Sequence, residues 1–318
     1  MANGRDGMMK IMIFGCGYSG TAIAKAALDE GATATGTART PEKAACLAAQ
    51  GIRGIVFDGT ELGDDLRSAL FETTHLVQSI PPGPSADPLL KLVSGRLREL
   101  CPQLQWVGYL STVGVYGDAA GGWVDEDTPC NPKPGRSQER VDAEAAWLAE
   151  GKAEQVPVAV LRLAGIYGPG RNAFVNLARG TARRIIKKDQ VFNRIRVEDI
   201  AGASLFLARR KLGGLFNITD DEPGPAQDVI TEAARLMGVE PPLEQPFESA
   251  EMTPMARTFY GANKRVSNLA IRRKGYVFHY PEQRMSLQQL WETGQWRGES
   301  TSTPSDEKFI QNPNSGQK

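Results

Sequence analysis

Ile11-Met12-Ile13-Phe14 is a short apolar run closed by glycine, the pattern of a strand buried on both faces. The segment 21–30 is rich in alanine and other helix formers and stops at Gly31, a residue suited to a helix C-cap. The spacing of apolar positions predicts further strands over 32–37, 54–57, 75–78, 105–110 and 158–163. Helices are predicted over 41–50, opened by Pro41 in its preferred first turn, over 88–100 and over 137–150. Strands that alternate with helices pair in parallel, because each crossover helix carries the chain back to the same end of the sheet. The fold class is therefore α/β, a doubly wound parallel sheet. Past about Gly170 the rhythm changes. A helix over 173–184, a strand over 194–197, a helix over 198–210, a strand over 214–218 and a helix over 227–237 are expected. The chain around Pro241, Pro242, Pro246 and Pro254 reads as irregular.

This pattern suggests a nucleotide-binding domain of Rossmann type over 10–224, with 171–192 contributing to its cleft. A smaller, discontinuous α+β part over 225–297 would cover that cleft. Residues 1–9 and 298–318 are expected to be disordered; in the latter only Phe309 and Ile310 are large and apolar.

Composition narrows the function. The chain has 318 residues, 41% hydrophobic and 23% charged, enough to bury an ordinary soluble core. Lys plus Arg is 37 and Asp plus Glu is 37, so the excess of cations needed for bulk attraction to phosphate backbones is missing, and no nucleic-acid partner is expected. The four cysteines form no C-x-x-C pair, which argues against a disulfide framework or zinc ribbon. With His75 and His279 alone, a histidine metal site or a Ser-His-Asp triad is hard to build, and no metal is expected. No secretory apolar segment or membrane-length run is visible, so a cytoplasmic protein without a membrane partner is expected.

Gly15-Cys16-Gly17-Tyr18-Ser19-Gly20 matches G-x-G-x-x-G directly after a strand and at the opening of a helix, the context that the dinucleotide fingerprint requires. The first glycine makes the turn and the second lets the backbone approach a pyrophosphate. The third lets helix and strand pack closely, and the helix N-terminus faces the anion. At the end of the second strand an NAD site calls for Asp or Glu. Here Thr35-Gly36-Thr37-Ala38-Arg39-Thr40 offers no acid before Glu42, and Arg39 can fork onto a ribose 2′-phosphate. NADP is the expected cofactor, with NAD left open. Asp58 either accepts from the adenine amino group or simply turns the chain ahead of Gly59. Cys16 sits where a helix N-terminus would depress a thiol pKa, though a small buried filler explains it as well. Asp118, Asp125, Glu126 and Asp127, with Trp123 among them, read as a solvated loop or as the mouth of a substrate cleft.

From here the chain resembles the short-chain dehydrogenase/reductase superfamily, in its extended and atypical branch of NAD(P)-dependent epimerases and dehydratases. Gln78-Ser79-Ile80-Pro81-Pro82 falls where the family lays a cofactor-side loop, so Ser79, Ile80 and Pro81 are implied cofactor contacts. Ser111-Thr112-Val113-Gly114-Val115-Tyr116-Gly117 resembles the strand end that carries the catalytic Ser or Thr. Arg162 to Arg171 is similar to the family's R-x-x-x-[IV]-Y-G-P-G-R loop, and Arg196-Val197-Glu198-Asp199-Ile200 and Phe216-Asn217-Ile218 match later landmarks. The resemblance spans about 10–291. The family's acid/base pair, Tyr-x-x-x-Lys, lies on the helix after the fifth strand, and this chain places Arg136 and Arg140 at those two positions. Arginine stays protonated and donates hydrogen bonds, so it can polarise a carbonyl but cannot take a proton from an alcohol.

The resemblance thus implies an NADP-binding oxidoreductase acting on a small carbonyl, hydroxyl or sugar-nucleotide-like substrate. Arg136, Ser111 and Thr112 would polarise the substrate oxygen, with Arg140 beside them and Tyr116 or Tyr167 as the remaining candidates for proton transfer. The alternative is an inactive NADP-binding sensor or scaffold. Family members commonly dimerise, so a homodimer is also implied.

Overall fold

Alternate residues of the first strand, β1 (Lys10–Phe14), turn to opposite faces of one sheet: Ile11 and Ile13 enter one apolar cluster, Met12 and Phe14 another. The computed structural model describes residues 7–84 and 86–298. The tail expected beyond 298 and most of the N-terminal segment expected to be disordered lie outside the described residues.

Around β1 run β2 (Thr33–Ala38), β3 (Arg53–Val56), β4 (His75–Gln78) and β5 (Trp106–Thr112), followed by the strands Val158–Leu163 and Gly214–Ile218. Across the sheet the order is Gly214–Ile218, Val158–Leu163, β5, β4, β1, β2, β3, and every pair is parallel. The chain winds outward from β1 in one direction to β3, then returns to β4 and winds the other way. The crevice beyond the carboxyl ends of β1 and β4 is therefore the topological switch point, where such sheets hold ligands.

Helices α1 (Tyr18–Asp29), α2 (Pro41–Ala48), α3 (Asp64–Glu72), α4 (Leu90–Val93), α5 (Leu97–Leu100) and α6 (Arg136–Ala153) cover the two faces of the sheet. Thr40 caps α2 by accepting from the Lys43 amide at 3.4 Å, and Pro41 supplies the first turn. The single helix expected over 88–100 is instead two short ones. They part at Gly95, which takes φ of +70°, and there the buried Glu150 carboxylate accepts from Ser94 Oγ and the Gly95 amide, both at 2.9 Å. The expected helix over 173–184 also ends early, at Ala178. Gly180 takes φ of +66° and turns the chain into a strand, Arg184–Ile186, that pairs in parallel with Glu244–Pro246. The remaining predicted strands and helices stand within a few residues of their expected bounds. The pattern did not single out α3, Leu269–Arg273 or Gln283–Glu292.

Ala173–Ala178, Ala226–Met237 and Gln283–Glu292 enclose a separate apolar cluster around Phe174, Leu287, Leu290 and Trp296. Residues 173–178 thus pack with the small C-terminal part, while the helix Val197–Arg209 lies against α1 and returns the chain to the sheet. Among the described residues no helix is long and apolar enough to cross a membrane.

Candidate functional site

The turn between β1 and α1 is built as its glycines suggest. Gly15 takes φ of +79°, and a Cβ there would come within 2.8 Å of Ile80. At Gly20 a Cβ would stand 2.9 Å from the Gly15 carbonyl, so this glycine lets helix and turn approach. Nothing lies within 4 Å of the Cβ position at Gly17, which is exposed and caps α1 without a side-chain hydrogen bond. Gly17 thus leaves room beside the N-terminus of α1, where an anion is favoured. Thr37 fixes the turn to β2: its Oγ1 accepts from the Gly15 amide and its carbonyl from the Cys16 amide, each at 2.9 Å.

A cleft of about 870 Å³ opens beside this turn, within the size range of small-molecule and cofactor sites. Seven of the expected cofactor contacts line it: Gly15, Gly17, Arg39, Asp58, Ser79, Ile80 and Pro81. Lys43, Cys46 and Lys91 line it too and were not singled out from the sequence. Lys43 lies in the first turn of α2, four residues after Arg39, so two cations stand at the end of β2 where an NAD site carries an acid. Asp58 is held in a turn, with its Oδ1 accepting from the Thr60 amide at 2.9 Å and the Thr60 hydroxyl at 2.6 Å; these bonds keep its carboxyl below the usual range. The approach at Gly17, the uncapped α1 and the paired cations fit the phosphates of a dinucleotide.

Three other residues of the glycine motif do not line the cleft. Ser19 and Gly20 are buried in α1. The Tyr18 hydroxyl donates to the Pro169 carbonyl at 3.0 Å, and burial, with Glu198 nearby, pushes its pKa up to about 12. The Cys16 thiol is also pushed up by burial, opposite to the lowering a helix N-terminus would give.

Ser111 and Thr112 are consecutive on β5, so their side chains leave the strand on opposite faces. The Ser111 hydroxyl is buried and donates to Glu144, which forms a buried ion pair with Arg162 at 2.7 Å, both side chains 4% exposed. Arg162 in turn donates to the Tyr116 hydroxyl at 2.9 Å, and that hydroxyl donates to Asn217 Oδ1 at 2.8 Å. Ser111 thus directs its proton into the protein and away from a substrate. Burial pushes the Tyr116 phenol up to about 12, out of reach of base catalysis near neutral pH. Burial likewise raises Tyr167.

Thr112 is placed differently. Its Oγ1 accepts from the Gly114 amide at 3.1 Å, which leaves the hydroxyl proton free to donate. Thr112 Oγ1 and Ser137 Oγ of α6 both lie 3.3 Å from the Cβ position of Gly114, so the start of α6 adjoins Thr112. Arg136, the first residue of α6, is exposed. Arg140 reaches back to β5, where it donates to the Leu110 carbonyl and, at 3.4 Å, to the Tyr109 hydroxyl. No group of histidine, cysteine and acidic residues suited to a metal occurs among the described residues.

No protein-family model matches the chain. Protein YeeZ of Escherichia coli (strain K12) is 32% identical over 247 residues, which cover 74% of this chain and 86% of that protein. Among solved structures, a functionally unknown conserved protein of Silicibacter pomeroyi is 40% identical, with 90% of this chain and 99% of that chain covered and a TM-score of 0.81. A protein of Methylobacillus flagellatus, provisionally described as an NAD-dependent epimerase/dehydratase, is 26% identical, with 91% and 99% covered and a TM-score of 0.67.

Proposed function

The chain belongs to the NAD(P)-dependent epimerase/dehydratase group of the short-chain dehydrogenase/reductase superfamily, and from that premise we propose that it binds NADP and reduces a carbonyl group on a small molecule. The observation that carries this reading is the pair of cations, Arg39 and Lys43, that lines the cleft at the end of β2. A 2′-phosphate bound there would receive charge-assisted hydrogen bonds, where a carboxylate would repel it. Bound in its reduced form, NADPH would supply the hydride, and the alkoxide that forms would take its proton from water. The chain's own groups bind and orient: the α1 N-terminus and Gly17 hold the pyrophosphate, and Thr112 and Arg136 donate to the substrate oxygen. Four free thiols support a reducing, cytoplasmic compartment. We further propose a homodimer formed through the helices beside β5, as in the family.

Calorimetry with both dinucleotides tests the cofactor. NADP is expected to bind more tightly than NAD. Arg39→Ala is expected to weaken NADP by about ten- to a hundredfold while leaving NAD affinity nearly unchanged. No heat with either dinucleotide would overturn the reading.

A second reading, an NADP-binding sensor or scaffold without turnover, is favoured by the arginine at the tyrosine position and by the commitment of Ser111 to Glu144. Cofactor oxidation in a panel of carbonyl compounds, by the native chain and by Arg136→Tyr, separates the two. Tight NADP binding with no turnover in either protein supports the sensor.

A further inference from the structure

The chain leaves β4 at Gln78, passes through Ser79, Ile80 and Pro81 in the wall of the cofactor cleft, and returns to Asp87 before α4 begins. The Gly83 amide donates to the Ala86 carbonyl at 3.2 Å within this excursion. Ala86 and Pro88 both line the cleft, whereas the side chain of Asp87 between them turns into the protein. Both ends of the excursion are buried, Gln78 at 0% exposure and Asp87 at 1%.

A buried carboxylate needs donors for its oxygens, and Asp87 finds them in two directions. Oδ1 accepts from the Leu89 and Leu90 amides, both at 3.0 Å, which closes the turn into α4. Gln78 Nε2 donates to the same carboxylate and stands 2.8 Å from each oxygen. That bond fixes which way the Gln78 amide points. Its Oε1 is left toward the cofactor-side loop, where it accepts from the Ile80 amide at 3.4 Å. Ile80 in turn packs on the glycine turn: its Cγ1 and amide nitrogen lie 2.8 and 3.0 Å from the Cβ position of Gly15. A relay thus runs from Asp87 through Gln78 to Ile80 and the turn at Gly15.

We infer, on the reading that this cleft binds NADP, that Asp87 is a positioning residue for the cofactor. Acting through the Gln78 amide, it holds Ile80 at the glycine turn and so sets the wall that a dinucleotide meets. The relay has a polarity that substitution can reverse. In Asp87→Asn a donor faces the donor of Gln78, and turning the Gln78 amide over only moves the conflict to the Ile80 amide. Adding Gln78→Glu supplies acceptors to both neighbours, with the carboxylate moved to the other side chain.

The test uses the full-length protein, calorimetry with NADP, and hydrogen exchange of the Ile80 amide in the absence of nucleotide. Asp87→Asn is expected to weaken NADP by about tenfold and to speed exchange at Ile80. The double variant Asp87→Asn with Gln78→Glu is expected to recover NADP affinity to within about threefold of the native chain and to slow that exchange again. Native affinity in Asp87→Asn, or a double variant that restores neither quantity, would overturn the proposal. Should Asp87→Asn lose its cooperative thermal transition, Gln78→Met takes its place, since it removes the relay and leaves Asp87 on the Leu89 and Leu90 amides. Unchanged NADP affinity in that variant would overturn the proposal equally. A native chain that binds no NADP would bring down the cofactor reading and this proposal together, whereas native binding left intact by the variants sinks this proposal alone.

Discussion

Two adjacent hydroxyls on β5 have opposite fates, and the pleat of the strand decides which. Ser111 belongs to a buried chain of hydrogen bonds through Glu144, Arg162, Tyr116 and Asn217, whereas Thr112 keeps a free proton at the strand end. Glu144→Ala leaves Arg162 as an uncompensated buried cation and is expected to cost about 3–5 kcal/mol in urea unfolding. Thr112→Val is expected to cost less than about 1.5 kcal/mol in stability and to lower turnover of a carbonyl substrate instead. Both hydroxyls were legible as candidates in the sequence, but the choice between them was not. The seven residues of β5 are almost all buried, so there is no polar alternation to show which side faces the cleft. A signal for the network did exist: Arg162 stands in an otherwise apolar strand, and a charge there requires a buried partner. Asp220 offers a pH test. Its folded pKa of about 8 lies above the ordinary carboxyl value of 3.8, so between these limits the unfolded chain binds fewer protons. Its contribution to stability therefore falls as pH rises from about 4 to about 8. Asp220→Asn is expected to flatten this part of the profile when urea midpoints are compared across that range.

Among the elements, the β1–α1 turn separates folding from binding within six residues. Gly17→Ala adds a methyl group into open space and is expected to leave the thermal midpoint nearly unchanged while weakening dinucleotide binding. Gly20→Ala forces a methyl against the Gly15 carbonyl and is expected to destabilise the fold by on the order of 1–3 kcal/mol, and so to lower the midpoint itself. Scanning calorimetry with and without NADP distinguishes the two. This turn was readable because its roles depend on spacing along a short local segment. Lys43 escaped notice because it lies across a strand–helix junction, where neither the strand nor the helix period applies, although Thr40-Pro41 fixes the helix start and with it the first turn. The early stop of the helix at Ala178 was signalled by Gly180. The strand that follows was not readable, since its partner lies some sixty residues further on, at Glu244–Pro246.

Over the whole molecule, the doubly wound order of the sheet follows from the alternation of strands and helices. The small sheets outside it, such as Gly165–Tyr167 with Arg194–Arg196, arise from pairings between distant segments that no local pattern announces. One bond spans a longer distance in the chain than any local motif. The Tyr18 hydroxyl, from the first helix, holds the Pro169 carbonyl of the loop that follows Val158–Leu163. It acts as a latch between the seat of the pyrophosphate and the rim on which a substrate would rest. Nucleotide loading is expected to slow amide hydrogen exchange over 168–171, and Tyr18→Phe to abolish that slowing while sparing nucleotide affinity. The first ligand to arrive would then prepare the seat of the second.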